Sequence, residues 1–214
     1  MDAVIFDLDG VLVDSELTWD AVRRAVVAAH GGTWRPEATR AQQGMSTPEW
    51  ARYLVDTLGA QLTPDEIANT VIDEMASRYT AGPPVIDGAP EVVREIARRW
   101  PVAIASSSPP VLIHAFLTAC DLTSLVPVAV SSEEVAAGKP APDVYLRAAM
   151  LLEIPPERCA AVEDSTNGLR AAQAAGMTVY AAPNTHFPPE PEALAGATVL
   201  TNLTALPAAL KAGR

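Results

Sequence analysis

The sequence has few cysteines, a deficit of basic residues and no long hydrophobic run. It contains two cysteines, Cys120 and Cys159, both in apolar contexts, which we interpret as reduced core thiols of a cytoplasmic protein rather than a disulfide framework. With 15 Lys and Arg against 26 Asp and Glu, the formal net charge is −11, which argues against a nucleic-acid-binding surface. No segment reaches the roughly 20 apolar residues that a membrane-spanning helix needs. We therefore expect neither a membrane nor a nucleic acid as a partner.

The composition is that of a globular protein with a sizeable core. Hydrophobic residues make up 49% of the chain and charged residues 19%, unlike the proportions of disordered segments. A length of 214 residues suffices for one large domain or for one domain carrying a smaller insertion. Because the net charge is negative, an anionic substrate has to be attracted by a local site and not by the field of the whole molecule.

The most informative segment is Val4–Phe6 with the acids that follow it. The three apolar residues predict a short buried strand, and Asp7 and Asp9 come directly after it. Residues i and i+2 of extended backbone face the same way, so both carboxylates can converge where Gly10 permits a sharp turn. Two close carboxylates repel unless a cation shares their site, and Mg²⁺ meets that need. Helix capping or a turn is the alternative role for such acids.

Residues 15–80 predict a run of helices without a strand. Residues that commonly cap helices precede the segments: Ser15 before the first, Ser46 or Thr47 before the third, and Thr63 in a capping box before the fourth. Apolar residues recur at helical spacing within each segment. The predicted helices span about 15–30, 36–44, 47–58 and 63–80, the second of them ending at Gly44.

From residue 90 short apolar strands alternate with helices. Strands are predicted at 102–105, 126–130, 160–162, 178–182 and 198–200, and helices at 90–100, 110–120, 142–152, 165–175 and 203–211. Such alternation is typical of a parallel sheet covered on both faces. We predict a doubly wound, Rossmann-like α/β core with an inserted all-helical cap domain: core 1–14 and 88–214, cap 15–80, hinge 81–87. Ligands of such sheets bind beyond the carboxyl ends of the strands.

Polar residues follow four of the predicted strands. Asp7 and Asp9 follow the first, and later strands lead to Ser106-Ser107-Ser108, to Lys139 in a loop, and to Glu163-Asp164-Ser165. Taken singly, the serines could cap a helix, the lysine could be solvated, and the acids could favour a helix N-terminus. Their common placement at one edge of the sheet indicates a site.

This set of residues fits phosphoryl transfer, in which the transferred group needs positioning and charge stabilisation. We interpret Asp7 as a covalent nucleophile that forms an aspartyl phosphate and Asp9 as the general acid and base. Ser106 and nearby backbone N–H groups can donate to the phosphate, and Lys139 supplies positive charge. Asp164 with Glu163 behind it is expected to complete the oxygen ligands of Mg²⁺.

Other residues that often occur in active sites are given structural roles. We expect the histidines to be structural or at the surface (His30, His114, His186). The tryptophans of the helical region are expected to pack within it (Trp19, Trp34, Trp50). Arg23 and Arg24 lie off the apolar face of the first predicted helix.

In order and spacing these motifs resemble the haloacid dehalogenase (HAD) superfamily, over nearly the whole chain. Asp7-Leu8-Asp9-Gly10-Val11 is similar to its first motif, Ser106 to its second, Lys139 within Gly138-Lys139-Pro140 to its third, and Glu163-Asp164-Ser165 to its fourth. The helical insertion resembles the cap of the subfamily that contains β-phosphoglucomutase and phosphoglycolate phosphatase. The resemblance implies a metal-dependent enzyme acting through an aspartyl phosphate.

The resemblance also implies roles for single residues. Asp7 would be nucleophile and metal ligand, and Asp9 acid/base and a ligand through its backbone carbonyl. Asp164 would bind the metal with Glu163 in support. The phosphate would be held by Ser106, the Ser107 backbone and Lys139.

Departures from the family pattern bear on the reaction. After the first motif the chain lacks the His of β-phosphoglucomutase, and Gly44-Met45-Ser46-Thr47 lacks its Arg, which favours hydrolysis over a phosphosugar mutase. Asp9 argues against dehalogenation, and the absence of lysine from 15–80 counts against phosphonate cleavage. The alternative from another class is a phospho-accepting receiver module, but its acceptor lies on a later strand and no helical insertion follows its first.

We therefore expect a Mg²⁺-dependent phosphatase of small phosphate monoesters, either sugar phosphates or a phosphoglycolate-like acid. Its partner would be a small phosphorylated metabolite. The sequence makes no prediction of the oligomeric state.

Overall fold

The computed structural model describes residues 1–42, 45–182, 184 and 187–212. Gly44, the predicted end of the second helix, and His186 lie outside these ranges. Within them the chain forms one sheet flanked by helices, and a second group of helices follows the first strand.

The sheet is built from six short parallel strands. They are β1 Ala3–Phe6, β2 Val102–Ser106, β3 Val128–Ser131, β4 Cys159–Glu163, β5 Thr178–Ala181 and β6 Thr198–Val199. Their order is β3-β2-β1-β4-β5-β6, and every residue of β1, β2 and β4 is buried. The chain builds outward from β1 to β3 and then returns to β4 on the other side of β1. The point where the strand order reverses therefore lies between β1 and β4, which is where such sheets bind ligands.

The segment between β1 and β2 is helical, as predicted. It contains α1 Glu16–Ala29, α2 Ala38–Ala41, α3 Thr47–Arg52 with a π-helical turn at Tyr53–Thr57, and α4 Pro64–Ala81. The capping box before α4 is present: Thr63 accepts the Glu66 N–H at 3.3 Å, and the Glu66 carboxylate accepts the Thr63 N–H at 2.9 Å. The apolar faces of these helices form one cluster, which Leu112 of the following core also joins.

The remaining helices cover both faces of the sheet. They are α5 Ala89–Ala97, α6 Pro110–Ala119, α7 Asp143–Leu151, α8 Thr166–Ala174 and α9 Leu206–Ala212. Successive residues of a strand point to opposite faces: Val4 and Phe6 join one hydrophobic cluster, whereas Ala3 and Ile5 join the other. The predicted doubly wound α/β core with an inserted helical cap is confirmed.

Two backbone segments connect the helical insertion to the sheet, and they run side by side. The Asp14 N–H donates to the Pro84 carbonyl at 2.7 Å, and Val13 and Val85 form an antiparallel bridge. The chain therefore enters and leaves the helical segment at one place.

Several local expectations can be compared with the structure directly. The strand predicted at 126–130 starts later, at Val128, because Val126 closes a turn by donating its N–H to the Leu122 carbonyl at 3.0 Å. Cys120 and Cys159 are free and buried, as predicted. None of the helices in the described ranges has the length and apolar character needed to cross a membrane.

Candidate active site

Asp7 directly follows β1 at the carboxyl edge of the sheet. Its N–H donates to the Val162 carbonyl of β4 at 2.9 Å, which fixes it beside the neighbouring strand. Gly10 then turns the chain with a φ of 75°, and a Cβ at this position would overlap the Asp164 carboxylate. Glycine is needed here for both the backbone conformation and the close approach. The turn thus brings Asp7 and Asp164 to one place.

Three buried carboxylates meet there. Single oxygen atoms of Asp7, Glu163 and Asp164 lie within 4.8 Å of one another. Burial raises the pKa of Asp7 to about 7; the Glu163 charge adds to the rise and the Lys139 ammonium opposes it. Burial, with the charges of Glu163 and Asp7, also raises the pKa of Asp164 well above its usual range, although a hydrogen bond from Asn184 opposes this. A cluster of this kind favours the presence of a cation.

A buried lysine lies against this cluster. Lys139 Nζ is 2.5 Å from Glu163 Oε1 and 2.9 Å from Asp7 Oδ1. The contact with Asp7 is an ion pair without hydrogen-bond alignment, since Asp7 Oδ1 has no hydrogen-bond partner among the described residues. Burial acts against the ammonium, but the two carboxylates outweigh it and raise the pKa of Lys139 above its usual value. Tyr145 donates its hydroxyl to Glu163 Oε1 at 2.7 Å, and its ring centroid lies 5.1 Å from Nζ.

Both oxygens of Glu163 are engaged by the protein. Oε1 accepts from Lys139 and Tyr145, and Oε2 accepts the Asp164 N–H at 3.1 Å and the Ser165 hydroxyl at 3.2 Å. A Cβ on Gly168 would overlap this carboxylate. Glu163 therefore holds the lysine and the following turn in place. The prediction that it also ligates a metal stays a prediction.

The Asp9 carboxylate is not part of the acid cluster and is held by three donors. The Ser15 hydroxyl and Trp19 Nε1, the latter at 3.2 Å, donate to Oδ1, and the Ser108 hydroxyl donates to Oδ2 at 2.5 Å. The expectation that the Ser15 side chain caps α1 is wrong: it makes no capping hydrogen bond, because its hydroxyl is directed to the carboxylate of Asp9. Asp9 is thus linked both to the cap helix and to the turn after β2.

The serine turn after β2 reaches the same edge of the sheet. The Ser106 hydroxyl accepts the Ser108 N–H at 3.0 Å, and the Ser131 hydroxyl donates to the Ser108 carbonyl at 2.8 Å. Ser106 is fully buried, whereas Ser107 is partly exposed and lines the pocket described next. The turn therefore brings Ser107 and Ser108 to the pocket beside Asp9; that Ser106 and the Ser107 backbone hold a phosphate stays a prediction.

A pocket of about 730 Å³, counted with its open mouth, lies between the cap helices and this edge. Asp9, Ser107 and Ser108 form part of its wall on the core side. The wall on the cap side includes Trp19, Arg23, Trp34, Thr39 and Trp50. The three tryptophans that the sequence assigns to cap packing therefore also face this pocket.

Sequence reasoning missed several residues that contact the predicted site or its pocket, among them Ser108, Asn184, Tyr145 and Arg23. Ser108 is the third member of the serine run, and Asn184 follows β5 as the other polar residues follow their strands, so both carried a usable signal. Asn184 donates to Asp164 Oδ2 at 2.6 Å. Tyr145 and Arg23 lie on helices. A search for polar residues that directly follow strands therefore does not find them.

A carboxylate cluster with a buried lysine at the switch point of a doubly wound sheet, beneath a helical insertion, defines a capped α/β hydrolase. The model of the haloacid dehalogenase-like hydrolase family matches residues 1–176. The chain belongs to this family, and the expectation of an enzyme of this class is confirmed.

Characterised relatives match along both the cap and the core. Hexitol phosphatase B of Escherichia coli (strain K12) is 30% identical over 96% of this chain and 94% of its own length. Fructose-1-phosphate phosphatase of the same organism is 30% identical over 81% of this chain and 92% of its own. A crystal structure of a CbbY mutant from Rhodobacter sphaeroides in complex with xylulose-(1,5)bisphosphate has a TM-score of 0.86 at 27% identity and covers 96% of each chain.

Proposed function

We propose that the protein is a Mg²⁺-dependent phosphatase that hydrolyses small phosphorylated carbohydrates or related acids through an aspartyl phosphate on Asp7. The observation that carries this proposal is the position of Asp7, buried at the end of β1 with Lys139 Nζ at 2.9 Å and Asp164 in the same cluster. The similarity to hexitol phosphatase B and fructose-1-phosphate phosphatase supports the carbohydrate class.

The residues present fit a magnesium ion. Asp7 Oδ1 is buried without a hydrogen-bond partner among the described residues, and burial beside other carboxylates raises the pKa values of Asp7 and Asp164, so a cation would be stabilised among them. Asp7, Asp164 and the backbone carbonyl of Asp9 would hold the ion, with Glu163 in support. Bound there, Mg²⁺ supplies the positive charge that keeps Asp7 ionised and neutralises part of the phosphate.

The side chains suit a two-step displacement. Asp7 attacks phosphorus, and its O–P bond forms as the bond to the leaving alcohol oxygen breaks. Asp9 gives its proton to that oxygen. In the second step Asp9 takes a proton from water, the water oxygen attacks phosphorus, and the bond to Asp7 breaks. Inorganic phosphate leaves and both carboxyl groups return to their initial state.

We propose that three groups hold the phosphoryl oxygens. Ser106 and Ser107 lie in the turn after β2, and Lys139 lies beside the nucleophile. Glu163 Oε1 accepts hydrogen bonds from the Lys139 ammonium and from the Tyr145 hydroxyl, which fixes the position of the ammonium. The lysine therefore needs little reorganisation when the phosphate arrives, which is what electrostatic stabilisation requires.

The domain limits follow from the same reasoning. We propose a core of residues 1–14 and 88–214, a cap of 15–80, and a hinge of 81–87 that lets the cap close over the substrate and exclude water. The paired segments at Asp14 and Pro84 support a hinge at this place. The free, buried cysteines and the net charge of −11 support a cytoplasmic enzyme that acts on free metabolites and not on nucleic acid.

The test is a panel of phosphate monoesters assayed for inorganic phosphate with Mg²⁺ and with a chelator. We expect turnover of sugar phosphates that the chelator abolishes and that Asp7→Asn reduces by at least about 1,000-fold. Isomerised sugar phosphate without free phosphate would establish the mutase alternative. Stable phosphorylation of Asp7 without turnover would establish the receiver alternative.

A further inference from the structure

Arg23 of α1 packs against two tryptophan rings on the cap side of the pocket. The carbon atom of its guanidinium lies 4.8 Å from the ring centroid of Trp19 and 4.8 Å from that of Trp50. The rings are 6.3 Å apart and inclined by 57°. A guanidinium placed over indole faces is attracted by their negative charge and restricted in orientation. The side chain is therefore fixed before any ligand binds.

This cation has no carboxylate partner of its own in the described part of the chain. Arg23 Nε is buried and makes no hydrogen bond there. The nearby acids are engaged elsewhere: Asp20 accepts from Arg24 Nε at 2.6 Å and from the Thr39 hydroxyl at 2.5 Å, and Asp9 accepts from the three donors described above. The pocket thus contains a positive group whose neighbours Asp9 and Asp20 already have donors; Glu16 of α1 is a third acid that lines the pocket.

The charge of Arg23 persists at neutral pH although the side chain is half-buried. Partial burial lowers the pKa of the guanidinium to about 10, and the charges of Asp9 and Asp20 oppose the decrease. A half-buried charge without a carboxylate partner is stabilised by an anion that reaches it. A guanidinium also presents a planar set of donors that matches a carboxylate or a phosphate.

We propose that Arg23 determines specificity by binding a second anionic group, a carboxylate or a second phosphate, on the leaving group of the substrate. This inference rests on the proposed phosphatase function. The pocket joins Asp9 and Ser107 at its core side to Arg23 at its cap side, so a substrate held by its reacting phosphate extends toward the guanidinium. The tryptophan rings then pack against its carbon skeleton. The favoured substrates are phosphorylated sugar acids or sugar bisphosphates.

The test compares substrates that differ by one anionic group: glucose 6-phosphate with 6-phosphogluconate, and fructose 1-phosphate with fructose 1,6-bisphosphate. Arg23→Met keeps an apolar chain between the rings and removes the charge. We expect the wild type to prefer the more anionic member of at least one pair by about 10-fold or more in kcat/KM, since a charge-assisted hydrogen bond contributes roughly that much. Arg23→Met abolishes the preference, mainly through KM, and changes the less anionic substrate by less than about threefold.

Two further variants separate charge from packing. Arg23→Lys keeps a positive charge without the planar donors and is expected to retain part of the preference. Arg78→Met makes the same replacement at an exposed arginine of α4 and is expected to change nothing. A wild type without preference in either pair overturns the proposal. So does an equal loss on both members of a pair in Arg23→Met, which would indicate a structural role or recognition of hydroxyl groups.

A binding measurement distinguishes this proposal from the phosphatase function. In an Asp7→Asn background, calorimetric titration with Mg²⁺ and each substrate reports affinity without turnover. Tighter binding of the more anionic member, lost when Arg23→Met is added, supports the anion site even if the wild type hydrolyses nothing. Hydrolysis of sugar phosphates with equal affinities for both members confirms the phosphatase and overturns the role of Arg23.

Discussion

Lys139 Nζ lies 2.9 Å from Asp7 Oδ1, and both side chains are buried. The lysine also contacts Glu163 at 2.5 Å, so one ammonium is shared between two carboxylates. Asp7 therefore receives only part of the positive charge that its burial requires. This is consistent with the rise of its pKa to about 7 in spite of the adjacent lysine.

In the metal-free protein Asp7 is expected to reduce stability above neutral pH. Its pKa rises from 3.8 to about 7 on folding, so folding favours the protonated carboxyl, and the penalty grows as pH rises from about 4 to 7 and is complete above that. Asp7→Asn removes the penalty, and we expect stabilisation on the order of 1–4 kcal/mol at pH 8 in chelator. The loss of the ion pair between Asp7 and Lys139 reduces this gain. Thermal unfolding at pH 8 and pH 4 measures this. A variant less stable than the wild type at pH 8 would contradict the argument.

Mg²⁺ is expected to raise the melting temperature, and more so at higher pH. Metal and protons compete for Asp7 and Asp164, whose pKa values are both raised, so the gain should fall as pH decreases from 8 to 5. Differential scanning fluorimetry with and without about 10 mM Mg²⁺ measures this gain in melting temperature. Asp164→Asn should lose most of the gain in melting temperature at pH 8. Asp73→Asn, which changes an exposed residue of α4, should keep it. An equal gain in both variants would place the metal elsewhere.

Tyr145 is expected to position Lys139 without touching the phosphate. Tyr145→Phe removes the hydrogen bond to Glu163 Oε1 and should cost about 1 kcal/mol of unfolding free energy. With less restraint on the lysine, we expect kcat to fall by roughly 3- to 10-fold and KM to change little. Steady-state kinetics and urea unfolding test this, with Tyr53→Phe as the control. A change confined to stability would show that the tyrosine serves only the core.

Gly168 lies inside α8, yet its replacement by alanine is expected to destabilise the protein. Alanine normally stabilises a helix interior by about 1 kcal/mol relative to glycine, but here a Cβ would overlap the Glu163 carboxylate. We expect Gly168→Ala to destabilise the protein by roughly 1–3 kcal/mol and to lower activity by displacing the contact between Glu163 and Lys139. Gly138→Ala, whose Cβ would meet nothing closer than 3.6 Å, is the steric control for unfolding. Equal stability of the two variants would refute the overlap.

The central part of the site could be predicted because strand periodicity places Asp7, Ser106 and Asp164 at one edge of a parallel sheet. That argument needs only which residues end each strand. Tyr145 could not be found in this way, because a buried tyrosine on a helix has the same pattern as any core residue. Ser15 shows the limit of local capping rules: the hydroxyl that should cap α1 is bound to a carboxylate six positions earlier.

Arg23 shows the same limit at the pocket. The sequence placed it off the apolar face of α1 and gave no sign of a role in the pocket. Trp19, one helical turn earlier, was a visible hint, since residues four apart on a helix are neighbours. Trp50 belongs to another helix, and only the packing of both α1 and α3 against α4 brings its ring over the guanidinium.

Because Val13 and Val85 form a bridge, the helical segment is an insertion whose two ends lie next to each other beside the sheet. Its two ends meet, so its length and internal arrangement place no demand on the spacing of β1 and β2. The residues around Asp7 and the residues that select the substrate therefore belong to different segments of the chain. Exchanging residues between these two junctions would alter which leaving group is accepted and leave Asp7, Glu163 and Asp164 where they are, provided that the donors to Asp9 at positions 15 and 19 are kept.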